Sequence, residues 1–428
     1  MAALLALAVS VLVLAGILLA PWLIALIAPG FEGEKREATT RLVRVLFPGA
    51  GLLVLSAWCL GVLNSHRRFF LSYVAPVVWN LAIIAALVGF GDGVGQYDLA
   101  MVAAWGSVAG SLLQFAVQLP TVLRLLGGLR PGPLLGEPVR AVTRNFVPVF
   151  VGRGVVQISA YVDTLLASLL PTGAVAAVSY AQVLYTLPVS LFGMSVSAAE
   201  LPEMSSATGT DAERAAYLRG RLEAGLRQIA FLVVPSVAAF VALGDVVSGA
   251  LYQSGAFTRE MTLYVWAILA GAAVGLLPST LGRLYSSAFY ALHDTRTPLR
   301  IAIVRVSLGI ALGYGLALHL PGVLGLDSRW GAAGITLASG LAAGVEYLLL
   351  RRALRGRIGS VRSDWGLLAR LWMGAVAAVT AGWLVRVSLP PLHPIPGAVL
   401  ILGVFGGTYL GGTALLGVPQ ARRLLRMG

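Results

Sequence analysis

The chain has 428 residues, 58% of them hydrophobic and only 11% charged, with a mean hydropathy of +0.86. Soluble domains carry about 25% charged residues, so this composition excludes a soluble fold of such size and leaves a chain whose outer surface faces lipid. The net charge of +13 would suit nucleic acid on a soluble protein. Here the arginines gather in particular loops and report topology instead, so no nucleic-acid partner is expected.

Twelve apolar runs follow one another: 3–28, 45–64, 70–90, 97–126, 146–169, 174–198, 228–251, 261–290, 298–319, 330–351, 366–387 and 396–417. Each is near or above the ~20 residues that cross ~30 Å of hydrocarbon. Barrel strands alternate over about ten residues, whereas these runs are unbroken, which predicts an all-α, polytopic membrane helix bundle. The first run, from Ala2 to Ile27, is too long for a signal peptide and lacks a basic leading segment, so it reads as a span. Cys59 stands alone inside an apolar run. It has no disulfide partner in the chain and reads as a small buried residue.

The connections carry the charge. Those after even-numbered runs hold Arg67 and Arg68; Arg130, Arg140 and Arg144; Arg214, Arg219 and Arg221; Arg296 and Arg300; Arg351, Arg352, Arg355, Arg357 and Arg362; and Arg422, Arg423 and Arg426. Those after odd-numbered runs hold far fewer, such as Arg259 and Arg329. The positive-inside rule then predicts that both termini are cytoplasmic. One connection runs against this sum: Glu32 to Arg44 holds Lys35, Arg36, Arg41 and Arg44 beside Glu32, Glu34 and Glu37. Residues 127–145, with Pro131, Pro133 and Pro138, read as a linker between two helix groups. Residues 203–227 interleave charges with Ala215, Ala216, Leu218, Leu222 and Leu226. That pattern suits a helix lying at the cytoplasmic interface, and a solvated helical loop equally well.

Residues 61–80 (GVLNSHRRFFLSYVAPVVWN) and 286–305 (SSAFYALHDTRTPLRIAIVR) share one plan: the end of a span, a basic turn, and the start of the next span. Duplicated helix groups are a common construction of secondary transporters.

Enzyme signatures such as H-E-x-x-H, a P-loop or paired cysteines do not occur. The four histidines, His66, His293, His319 and His393, stand singly at span ends. No catalytic activity, metal or cofactor is expected. Ionisable groups inside spans are more informative, because each costs a few kcal/mol in lipid and needs a partner or a wet cavity. Arg153 and Asp163 share the fifth run, about 15 Å apart along a helix. Arg283 lies mid-way in the eighth run, Arg305 early in the ninth, and Glu200 and Glu346 near span ends. Asp163 and Arg283 are read as lining a cavity. For Arg153, Arg305, Glu200 and Glu346 a structural or snorkelling role is at least as well supported. A cavity of net positive lining would suit an anionic headgroup, since arginine and phosphate pair strongly.

Three stretches carry a family resemblance. GVLNSHRRFFLSYVAPVVWN (61–80) resembles the fourth-to-fifth helix junction of the MurJ/MviN family of lipid II flippases. VVQISAYVDTLLASLLPTGAVAAVSYAQVLYTLPVSLFGMSVSAAELPEMS (155–205) is similar to that family's seventh and eighth helices. LYQSGAFTREMTLYVWAILAGAAVGLLPSTLGRLYSSAFYALHDTRTPLRIA (251–302) resembles its ninth-to-eleventh helix region, with AFYALHDTRTP (288–298) the most specific element. The likeness covers most of the chain and weakens past residue 350.

The resemblance implies two helical lobes followed by two extra C-terminal helices that form a groove for lipid tails. On that plan residues 1–126 are the remnant of a first lobe, 127–145 a cytoplasmic linker, 146–353 the second lobe, and 354–428 two further spans with a basic tail. It also implies movement of lipid II, the lipid-linked peptidoglycan precursor, across the inner membrane by alternating access. The cavity's positive charge would hold the diphosphate. Membrane lipids and cell-wall synthesis proteins are the partners implied.

Two departures stand out. The family has fourteen spans; the run Ala2 to Ile27 resembles its third, so two helices that supply several substrate arginines are missing at the front. An incomplete copy is the favoured explanation, with a divergent member of altered function as the alternative. Second, where the family often has Ala-Asp-Arg, this chain has Ala181-Gln182-Val183, which leaves Gln182 at a cavity position and Arg283 to supply the missing charge. The candidate substrate-binding set is therefore Arg153, Asp163, Gln182, Arg283 and Arg305. An exporter of another polyprenyl-linked glycan or of drugs, a membrane enzyme acting on a lipid carrier, and a non-transporting scaffold of the cell-wall machinery remain the competing functions.

Overall fold

The computed structural model describes residues 2–127, 161–362, 364–388, 390 and 393–427. Among them every regular element is a helix. The chain divides into two compact units, Met1–Tyr161 and Val162–Gly428.

The first unit contains α1 (Ala2–Ile27), α2 (Gly33–Ser65), α3 (Phe69–Phe90) and α4 (Gln96–Leu125). Its outward faces keep large apolar side chains exposed, among them Leu12, Trp22, Phe70 and Val88. That is the pattern for a chain solvated by lipid. The segment expected to be a polar connection before residue 45 is helical from Gly33 and continuous with the span. Local bonds account for this: Arg41 pairs with Glu37 one turn away at 2.6 Å, and the Thr39 and Thr40 hydroxyls donate to the Lys35 and Arg36 carbonyls. The same segment repairs α1. Pro21 has no N–H for the Ile17 carbonyl, and Arg44 Nε donates to that oxygen at 3.3 Å instead. Polar groups also tie α2 to α4, where buried Ser56 donates to Gln118 Oε1 and accepts from Gln114 Nε2, both at 2.9 Å. Trp79 Nε1 joins α3 to α4 through the Ser107 carbonyl at 3.1 Å.

The second unit opens within α5, a helix described over 161–168, and continues with α6 (Ala174–Ser205, one π-helical turn at Val189–Met194). Then come α7 (Asp211–Tyr252), α8 (Arg259–Ala273), α9 (Leu276–Ala291) and α10 (Arg296–Tyr314, carried on by irregular turns to Val323). The chain ends with α11 (Gly331–Ile358), α12 (Trp365–Ser388), α13 (Pro394–Leu415) and α14 (Pro419–Met427).

Two expectations are corrected here. Residues 203–227, expected as an interfacial helix or a solvated helical loop, instead hold the end of α6 at Ser205 and, from Asp211, the first turns of α7, one helix of 42 residues. A capping box at Thr210 and Glu213 starts it, and burial of Leu218, Leu222 and Ile229 holds it against the bundle. The run 261–290 is not one straight span: α8 and α9 are bent by 42° relative to each other. At that bend Gly275 lies so close to Gly340 of α11 that a Cβ on either residue would collide with the other's backbone. Among the described residues ten helices are long and apolar enough to span, and the bent pair makes eleven. The expected fifth span, 146–169, and the linker 127–145 lie almost wholly outside the described residues.

The helices α12 and α13 pack on α7 through Phe231, Val234, Leu243, Leu371, Ala375, Ile401 and Phe405. Backbone repair recurs here. Pro235 leaves the Phe231 carbonyl without its helical donor, and the Tyr409 hydroxyl of α13 supplies one at 2.8 Å. The non-helical Leu243 marks a kink in α7, and Trp266 Nε1 donates to the nearby Phe240 carbonyl at 3.1 Å. Without water, each freed carbonyl in a span needs such a partner.

Candidate functional site

Four of the five candidate residues lie in the second unit, and three of them converge. Arg305 stands ~13 Å along α10 from its start, and Glu346 ~18 Å from the end of α11, at 1.5 Å per residue. Both therefore lie near the middle of a ~30 Å hydrocarbon layer. There Arg305 Nη1 donates to Glu346 Oε2 at 3.1 Å. Asp163 of α5 is half-buried and accepts a hydrogen bond from Ser339 Oγ of α11 at 2.8 Å. It lies within electrostatic reach of Arg305. Tyr185 of α6 shares a 2.8 Å hydrogen bond with Ser279 of α9, and its hydroxyl feels the charges of Arg305, Arg283 and Asp163. Five helices thus deliver two carboxylates, two guanidiniums and three hydroxyls to one region.

The charges sum to zero only if Arg283 is included. Arg305 is engaged by Glu346, and Asp163 by Ser339. Arg283 differs: its side chain is exposed and, among the described residues, no carboxylate pairs with it. Gln182 stands on the exposed face of α6, where its Nε2 donates to Thr186 Oγ1 at 3.3 Å. No charged group meets it among the described residues. Arg153 lies outside the described residues. Glu200 is drawn to a different place, the start of α7, where Arg221 Nε donates to it at 2.9 Å.

Sequence reasoning missed the hydroxyl partners Tyr185, Ser279 and Ser339, because such residues in spans carry no distinctive pattern. It also missed Asp245, which has a readable signal: an acid inside the apolar run 228–251. Asp245 is 1% exposed and sits between Arg259 of α8 at 2.5 Å and Arg386 of α12 at 2.9 Å. It fastens the C-terminal helices to the rest of the unit. Among the described residues no three His, Cys, Asp or Glu side chains come together. The arrangement can hold charge, and among the described residues it leaves the Arg283 guanidinium without a carboxylate.

The comparisons agree with this architecture. The family model for Lipid II flippase MurJ matches residues 1–392. The lipid II flippase MurJ of Burkholderia cenocepacia is 32% identical over 83% of this chain and 68% of its own length. The Probable lipid II flippase MurJ of Rhizobium meliloti is 32% identical over 82% of this chain, which spans 64% of that relative. Among solved structures, a lipid II flippase MurJ in an inward closed conformation covers 98% of the chain with a TM-score of 0.77 at 20% identity. That match takes in 82% of the solved chain. An inward-facing multidrug transporter of the MATE family covers 82% of the chain, and is itself covered over 80%, with a TM-score of 0.64 at 18% identity. The last two likenesses concern the fold, a bundle of membrane-spanning helices. The family match and the relatives carry more: this multi-pass membrane chain belongs to the lipid II flippase MurJ family.

Proposed function

We propose that this chain moves lipid II across the bacterial inner membrane by alternating access, as a transporter and not as an enzyme. Family membership supports the activity, and the single observation that carries it to particular residues is Arg283: a mid-helix guanidinium, exposed and, among the described residues, without a carboxylate partner, beside a group of Asp163, Arg305 and Glu346 that carries one net negative charge without it. In lipid such a group needs water or an anion, and a diphosphate supplies the latter with charge-assisted bonds. Arg153, Asp163, Gln182 and Arg305 complete the proposed substrate set. Arg305 and Asp163 hold the local field, and Gln182 offers a neutral hydrogen-bonding group on α6. An apolar depression on α13, lined by Pro396, Val399, Leu400, Gly403 and Val404, supports a place for the lipid tail.

On this reading residues 1–126 and 146–353 act as the two lobes, joined by 127–145, and 354–428 form the tail-binding pair. Both termini are cytoplasmic, in line with the arginine-rich connections, and cell-wall synthesis proteins are the partners. The test is complementation: the chain is expressed in a bacterium whose own flippase is depleted. Growth should be rescued by the unaltered chain and lost with Arg283→Ala at equal membrane levels. Rescue by Arg283→Ala would remove Arg283 from the mechanism, and failure of well-inserted protein both alone and with the family's first two helices restored upstream would overturn the lipid II reading.

A further inference from the structure

From Trp365 to the C-terminus the sequence contains no aspartate or glutamate, yet it holds Arg370, Arg386, Arg422, Arg423 and Arg426. Arg386 is paired with Asp245. Arg370 and Arg422 are not paired with any acid among the described residues, and both are built into one corner. Arg370 Nε donates to the Gly366 carbonyl at 3.1 Å and Nη1 to the Leu416 carbonyl at 3.4 Å. Arg422 Nε donates to the Ala414 carbonyl at 3.1 Å. These bonds aim the two guanidiniums at a single point above Gly417. A Cβ there would lie 3.8 Å from Arg370 Nη1 and 3.8 Å from Arg422 Nη2, so the two nitrogens are no further apart than twice that. Gly417 has φ +80, which favours glycine and leaves the point open. The carboxylate of Asp364, at the start of α12, is spent on the Leu367 N–H at 2.9 Å.

Like charges have been brought together and held by backbone, with space between them for an oxyanion bridged by bonds of about 2.8 Å. The surroundings say what kind of molecule carries it. Trp365, Leu415, Leu424 and Leu425 are all half or more exposed around the corner, while Val418 and Ala421 are fully buried and seat α14 against the bundle. The corner lies where α12 begins and α13 ends, at an edge of the spanning region. A basic short helix with exposed leucines at such an edge is the pattern for the headgroup layer.

We propose that Arg370 and Arg422 form a binding site for an anionic glycerophospholipid, its headgroup phosphate bridged between the guanidiniums and its acyl chains against Trp365 and the α14 leucines. The site is separate from the charge group of α5, α10 and α11 and does not depend on flippase activity or on membrane orientation.

The probe is phosphatidylglycerol, titrated into the purified full chain and counted by native mass spectrometry. Phosphatidylethanolamine and inorganic phosphate serve as comparison ligands. The unaltered chain should retain phosphatidylglycerol in preference to phosphatidylethanolamine. Each arginine near an anionic surface is worth a factor of about five, so R370Q/R422Q should weaken the tightest site about thirtyfold. R370K/R422K should keep most of the affinity, and R67Q/R68Q, at another connection, should change nothing. If R370Q/R422Q does not elute as a monodisperse protein, the exposed single variant R422Q carries the test with about a fivefold loss. Equal retention by the Gln variants, or no preference for phosphatidylglycerol, would overturn the site. Displacement of the lipid by inorganic phosphate would show a free anion to be the occupant and would overturn the lipid assignment.

Discussion

Arg305 pairs with Glu346 and lies within electrostatic reach of Asp163, so removing it should cost more than removing either acid. At 3.1 Å and an effective dielectric of 20, the gross attraction between Arg305 and Glu346 is about 5 kcal/mol. Arg305 is 34% exposed and Glu346 14%, and both pay desolvation, so the net coupling expected is about 1–2 kcal/mol. Charge bookkeeping sets the order. With Asp163, Arg305 and Glu346 all present the group carries one net negative charge. Glu346→Gln brings it to zero and should cost about 1–2 kcal/mol, and Arg305→Gln brings it to two negatives and should cost about 2–4 kcal/mol. The double variant R305Q/E346Q returns to one negative and should be more stable than Arg305→Gln alone. Reversible unfolding of the purified chain in mixed micelles measures all four proteins as a double-mutant cycle. A double variant as unstable as the sum of the singles would mean that the 3.1 Å contact carries no coupling, and the reasoning would fail.

Asp245 should show the opposite form of non-additivity: Arg259→Gln or Arg386→Gln alone leaves one partner and costs about 1 kcal/mol, whereas both together strand a buried carboxylate and cost about 3–5 kcal/mol by the same unfolding assay. At the bend between α8 and α9, Gly340→Ala puts a methyl 2.8 Å from the Gly275 nitrogen and should destabilise by about 1–3 kcal/mol, while Gly412→Ala, which meets nothing within 4 Å, should be neutral in the same unfolding measurement. Asp294 accepts from the Thr297 and Arg296 N–H groups and the Thr297 hydroxyl, and pairs with Arg357 at 3.3 Å; the Thr297 bonds above all hold its carboxyl below the ordinary 3.8. Its folded pKa is depressed, so its stabilisation is full above 3.8 and is lost as pH falls through the lower folded value. The stability difference between the unaltered chain and Asp294→Asn, followed against pH, should therefore be flat at neutral pH and shrink only in acid.

The helical character and the order of the spans were legible because lipid leaves a single readable variable, hydropathy over twenty residues. The bend at Gly275 was not, since it arises from the meeting of two glycines, Gly275 and Gly340, distant in sequence and otherwise ordinary in membrane helices. The length of α7 was missed for a related reason: the charges of 211–227 read as an interface, whereas the buried Leu218 and Leu222 decide the packing. Within the candidate site the ionisable members could be read, because each is costly in a span, but their partners could not. Nothing in the spacing of Arg305 and Glu346, or of Asp163 and Ser339, indicates that α10, α11 and α5 bring them together. The same holds for Tyr409 and the Phe231 carbonyl. Pro235 announces a freed acceptor, and only the fold names the donor.

The pairing pattern separates groups that hold the fold from the one that does not. Asp163, Glu346, Arg305, Asp245 and Arg386 each have a partner inside the second unit, so their cost in lipid is offset within the protein. Arg283 has none among the described residues, and insertion of an arginine at mid-helix costs about 2.5–3.5 kcal/mol. Exposure of its side chain lowers that figure without abolishing it. An uncompensated cost of this kind is retained where function needs the charge. Arg283→Leu should therefore leave the stability unchanged to within about 1 kcal/mol, the desolvation relieved being offset by the net negative charge left on Asp163, Arg305 and Glu346, while it abolishes rescue of a flippase-depleted host. The two readouts together discriminate the roles. Loss of rescue with unchanged or raised stability places the guanidinium in contact with the transported anion or its water, whereas a loss of stability comparable to that of Arg305→Gln would make Arg283 one more structural charge.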